Sequence, residues 1–152
     1  MGYLYRGILC SIEIKDQYKN RYKNIKMIPL NNDLLTIPMS DELYDEINEF
    51  KGTSFDNYEY LTDKIGLLCE ELSMICRTAF IEAEYFGGVG SQNSMVWDNQ
   101  KVIFHETLTE HAINRALKLL GVNSDNNKDE FDTVGLGRHR FVEDWINDEN
   151  HH

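Results

Sequence analysis

The chain has 152 residues, 41% of them hydrophobic, which is the size and composition of one ordinary folded domain rather than a disordered tail or a repeat array. Twenty-six Asp and Glu against 15 Lys and Arg give a net charge of -11. A surface this negative disfavours nucleic acid and anionic membrane, and favours encounter with a basic partner.

Three cysteines, Cys10, Cys69 and Cys76, show neither the even count of a disulfide framework nor Cys-x-x-Cys spacing. They read as thiols of a reducing cytoplasm. The opening Met1-Gly2-Tyr3-Leu4-Tyr5-Arg6 lacks the basic and apolar regions of a signal peptide, and no run of 18 apolar residues could cross a membrane. The closing His151-His152 is set aside as a possible tag remnant, so residues 1–150 are read as one domain.

Residues 3–14 alternate like a strand, with Leu4, Ile8, Cys10, Ile12 and Ile14 on one face and Tyr5, Leu9 and Ser11 on the other. Over 16–26, Tyr18, Tyr22 and Ile25 fall at helical spacing opposite Lys15, Lys19, Lys23 and Lys26, which predicts a short helix with a basic stripe. A hairpin around Asn31-Asn32-Asp33 follows, with Pro29 and Pro38 at edges or ends. Ser40 reads as an N-cap with Asp41 and Glu42 behind it, and Gly52 as the stop.

The strongest helical pattern runs from Thr62 to Arg77, with Leu67 and Met74 widening its buried face. A three-stranded meander is then expected over 79–86, 94–97 and 102–104, turned at Gly87-Gly88-Val89-Gly90 and Asp98-Asn99-Gln100. Thr107 and Glu110 have capping-box spacing, predicting a helix that ends at Gly121. After a polar loop over 123–129, Phe131, Val134, Leu136, Phe141 and Trp145 should pack the tail back on the body. Short turns between the clearest strands favour the α+β class, a mainly antiparallel sheet covered by helices on one face.

Two segments could carry chemistry. In the first, Glu82 and Glu84 are two apart on a strand and share a face with Phe80 and Phe86. Either carboxyl could act as an acid or base. The glycine-rich turn behind them, Gly87, Gly88 and Gly90 with Gln92, could hold an anion on its amides. It is no P-loop, since no Gly-Lys-Ser/Thr closes it.

The second is Gly135-Leu136-Gly137-Arg138-His139-Arg140. Arg138 and Arg140 suit bidentate contact with an anion, and His139 could transfer protons. Alternatively the cluster pairs internally with Glu82, Glu84, Glu143 or Asp144 and fastens the C-terminal segment to the sheet. The loop Asp125-Asn126-Asn127-Lys128-Asp129 fails the calcium-loop test, because Glu130 and Leu136 stand where Gly and Glu are needed. No metal-ligand set, cofactor motif or nucleophile-and-base pair stands out.

On Glu82 to Gln92, on Ile113-Asn114-Arg115-Ala116-Leu117 and on Gly135 to Arg140, the chain resembles a family of small uncharacterised bacterial proteins. The resemblance implies a bacterial cytoplasmic protein and brings no substrate or cofactor. Two readings of function follow. The first is a non-enzymatic binding protein that recognises a macromolecular, basic partner through its acidic surface, for example an immunity-type protein against a basic toxin. The rival is a small enzyme or ligand-binding protein whose anion site joins the glycine turn to Arg138-His139-Arg140, with Glu82 or Glu84 as acid or base.

Overall fold

The computed structural model describes residues 2–125 and 127–148; Met1, Asn126 and residues 149–152, with the last two residues of the expected 1–150 domain and the His151-His152 pair, lie outside them. Six strands form one antiparallel sheet: β1 (Tyr3–Ser11), β2 (Ile28–Pro29), β3 (Leu34–Pro38), β4 (Thr78–Phe86), β5 (Val89–Asp98) and β6 (Lys101–Thr109). Their order across the sheet is β2-β3-β1-β4-β5-β6. Three tight hairpins set the registers. Asn32 and Asp33, Gly87 and Gly88, and Asn99 and Gln100 each have positive φ at both positions, the backbone that joins right-twisted strands in two residues.

Helices cover both faces of this sheet, not one. On the first face Ile8, Phe80, Met95 and Trp97 pack under α2 (Asp41–Asn48) and α3 (Asp63–Leu72). On the second, Tyr5, Leu9, Ile81 and Val96 pack under α4 (Ala112–Leu119), α5 (Glu130–Val134) and α6 (Val142–Ile146). The α+β class and the antiparallel sheet stand. The one-sided cover does not, because the second face of β4 carries Ala79 and Ala83, whose small side chains let α4 approach closely and which give little apolar signal of their own.

Three expected elements are corrected by the structure. The basic-striped helix shrinks to α1 (Lys15–Tyr18), because the Glu46 carboxylate of α2 accepts the backbone N–H groups of Lys23 and Asn24 and draws that stretch into turns. Helix α3 stops at Leu72, and the buried face is not widened as expected: Leu67, within the helix, and Met74, in the turn beyond it, are exposed at 59% and 55%. The capping box at Thr107 and Glu110 is not used. Residues 107–109 belong to β6, and α4 begins at Ala112, with Gln92 Oε1 of β5 accepting the Ile113 N–H from outside the helix.

Cys69 is fully buried and burial pushes its thiol up. Cys10 on β1 and Cys76 beyond α3 share a hydrogen bond that raises the Cys10 thiol well above its ordinary value and lowers Cys76 to about 7. Only Cys76 is partly open to solvent. A thiolate attacks alkylating reagents and a thiol does not. Iodoacetamide should therefore modify Cys76 first, at a rate that rises as pH climbs through about 7, while Cys10 and Cys69 react only on unfolding. Peptide mass mapping over a pH series checks this, and equal labelling of Cys69 would contradict it.

Candidate functional site

Glu82 and Glu84 leave β4 on the first face of the sheet, as their spacing requires, but their surroundings differ. Glu82 is 6% exposed. Its carboxylate accepts the backbone N–H groups of Glu59, Tyr60 and Leu61, and a fourth hydrogen bond from Asn93 Nδ2 at 3.0 Å. Glu84, one strand repeat further on, is exposed and has no hydrogen-bond or ion-pair partner among the described residues.

This arrangement explains how a charge tolerates burial. The loop between α2 and α3 crosses the sheet end without forming a strand or helix over 55–61, so its amides need acceptors. Glu82 supplies them and is stabilised in return. Asn93, opposite Glu82 on β5, also donates to the Asn57 carbonyl and accepts the Leu108 N–H. Leu108 thereby holds φ at +59°, an uncommon conformation for its side chain. Glu82 is a clamp, positioned by β4 and spent on backbone.

Beside it lies a small cavity of about 70 Å³ between Arg6, Tyr60, Glu82, Glu84 and Asn93. The Arg6 guanidinium stacks 3.8 Å above the Tyr60 ring and reaches Asp41 at 2.8 Å. Its buried Nε has no hydrogen-bond partner among the described residues. Arg6 and Glu82 are paired across the strands, yet no ion pair between them occurs.

The Arg138-His139-Arg140 segment sits under the second face. Its acidic partner is Asp148, not any of the four carboxylates expected: His139 Nε2 lies 2.8 Å and Arg138 Nη1 3.4 Å from Asp148 Oδ2. His139 also meets the Trp145 ring edge-on at 4.8 Å, and Arg138 donates to the Pro29 carbonyl. The Arg140 carbonyl accepts the Leu4 N–H, tying the tail to β1. The fastening role therefore stands with a different partner. Glu82 and His139 face opposite sides of the sheet and do not form one site.

Gly87 and Gly88 make the two-residue turn between Phe86 and Val89, exposed and with open space around them. Gly90 is needed for a different reason, since any Cβ there would run into the Glu84 carbonyl. Gln92 points to the second face, where it bonds the Tyr85 hydroxyl and the start of α4. Gln92 bonds α4, while Arg138 and His139 bond Asp148 and the Pro29 carbonyl, so none of these side chains links the glycine turn to the arginine segment.

A second, larger cleft was not legible in the sequence. It holds about 320 Å³ on the second face, lined by Tyr3, Tyr85, Gln92, Glu110, Asn114, Asp129 and Phe131. These residues come from five separate segments, so no local spacing announces them. Tyr3 and Phe131 meet edge-on at 5.4 Å. Asn114 fixes the far wall, donating to Asp129 and accepting the Phe131 N–H. Burial raises the Tyr85 hydroxyl, and the Glu110 carboxylate adds to the shift.

Among the described residues, no group of three or more His, Cys, Asp or Glu side chains stands in a metal-holding arrangement, and no helix is long and apolar enough to cross a membrane. No protein-family model, curated protein or solved structure matches the chain.

Proposed function

We propose that this is a non-enzymatic binding protein that recognises a basic macromolecular partner through its acidic surface, in the manner of an immunity protein, in the bacterial cytoplasm. One observation carries the reading. The groups of catalytic type, buried Glu82 and half-buried His139, are spent internally on opposite faces of the sheet, Glu82 on loop amides and His139 on Asp148, while the charge left over is strongly negative. The same field disfavours nucleic acid and anionic lipid as partners.

The rival, an enzyme or anion-binding protein built on the glycine turn and the arginine segment, has less support. Its proposed acid and its proton carrier lie on different sides of the sheet, and Arg138 is engaged with Asp148. Cross-linking the protein in the cells that make it, followed by mass spectrometry, tests the reading. A specific partner of high isoelectric point, whose affinity falls steeply with salt, is expected. A partner that is itself acidic, or binding indifferent to salt, would overturn it.

A further inference from the structure

Resting on that reading, we propose that the cleft between Tyr3, Tyr85, Phe131, Glu110 and Asp129 receives the cationic end of a lysine or arginine side chain of the partner. Its volume, about 320 Å³, is at the lower end of the range of about 300–1,000 Å³ common for small-ligand pockets and ample for one long side chain.

The wall chemistry selects a cation. Three aromatic rings line the cleft, and a cation within about 6 Å of a ring face is attracted to it. Two carboxylates stand at the same cleft, and no lysine or arginine lines it. An anion would meet only like charge there. A neutral apolar ligand would bring the rings no charge to attract and would desolvate Glu110 with no compensation. Glu110 is exposed and has no hydrogen-bond or ion-pair partner among the described residues, so its charge is available to an incoming ammonium or guanidinium group.

The walls are also held in place before anything binds. The Tyr3 hydroxyl donates to the Leu136 carbonyl at 3.0 Å, and its ring is braced edge-on by Phe131. Asn114 fixes Asp129 and Phe131 together, and Gln92 locks the start of α4. A site whose side chains are already ordered spends little of its binding energy on immobilising them.

The test titrates the whole protein with three blocked amino acids, Nα-acetyl-lysine, Nα-acetyl-arginine and Nα-acetyl-norleucine methylamides, followed by amide chemical shifts. The lysine or arginine probe should shift the Tyr85, Gln92 and Ile113 signals, and the difference between the two tells which head group fits. Norleucine, which keeps most of the stem without the charge, should bind at least about tenfold more weakly. Glu110→Gln and Tyr85→Leu should each weaken the charged probe by about three- to tenfold. Glu84→Gln, on the opposite face, should leave it unchanged. Unfolding midpoints of the variants separate lost binding from lost folding.

Equal binding of norleucine, or no shift at these residues with any probe, overturns the cleft. So does a basic partner whose affinity keeps its salt dependence and is untouched by Glu110→Gln and Tyr85→Leu; that result leaves the acidic-surface reading standing. Conversely, charged probes that bind in the cleft while the cell yields no basic partner overturn the partner reading and leave the cleft as a cation site.

Discussion

Replacing Glu82 by alanine should cost about 3–5 kcal/mol of stability, the scale seen when one side of a buried charged contact is removed. The reason is the number of groups orphaned at once. The N–H groups of Glu59, Tyr60 and Leu61 and the Asn93 side-chain amide all lose their acceptor, and the Leu61 and Asn93 bonds are buried. Each hydrogen bond to a charged group contributes about 1.5–3 kcal/mol, reduced where water can replace it, as it can at Glu59 and Tyr60. Glu82→Gln keeps one acceptor oxygen but turns an NH₂ toward amide donors, so about 2–3 kcal/mol is expected. Urea unfolding gives the totals, and hydrogen exchange at residues 59–61 gives the locality. A loss under about 1 kcal/mol with unchanged exchange would mean the clamp is dispensable, and would return Glu82 to the list of groups kept for chemistry.

Trp145→Ala should be comparably severe, at about 3–5 kcal/mol, through the cavity it opens. Trp145 is fully buried beneath the second face, 5.7 Å from the Tyr5 ring and 4.8 Å from His139. It is the anchor around which Arg138, His139 and Asp148 close. Trp145→Phe should behave quite differently. Its smaller ring leaves a partial void, but it also removes the indole Nε1–H, which is buried with no partner among the described residues. An unmet buried donor costs about 1–3 kcal/mol, so the two effects largely offset and a net change within about 1 kcal/mol is expected. Denaturant midpoints for the two variants decide the matter. If phenylalanine is as damaging as alanine, the indole nitrogen has a partner after all and the tail is held differently.

The parts of the fold that could be read from the chain are those whose cause is local. Asn32-Asp33, Gly87-Gly88 and Asn99-Gln100 announce hairpins because few other residues accept a left-handed backbone twice in succession. Ser40 caps α2 as its side chain suggests, accepting the Leu43 N–H. What failed depended on partners distant in sequence. Glu46 breaks one helical pattern from 22 residues away, and Asn93 holds Leu108 in a strand where a capping box was expected.

The candidate site divides in the same way. That Glu82 and Glu84 share a face follows from strand geometry alone, whereas the burial of one and the exposure of the other is decided by a loop whose donors are backbone amides, which have no side-chain signature. Asp148 is not legible as the partner of His139 because four acidic residues, Glu143, Asp144, Asp148 and Glu149, follow within ten positions and no local spacing chooses among them.

The two borders of the sheet are unequal, and this bears on how the molecule behaves in a crowd. One border is β2, two residues long and ending in Pro29, which has no N–H to offer a newcomer. The other is β6, nine residues with Val102, Ile103 and Leu108 exposed along it and no strand beyond it among the described residues. Any edge-to-edge stacking must use β6 on both molecules, and the joined pair then presents only the short, proline-ended border at each extremity. Growth is self-terminating. At high concentration sedimentation should find pairs and nothing larger, and a ladder of longer species would show that the short border recruits after all.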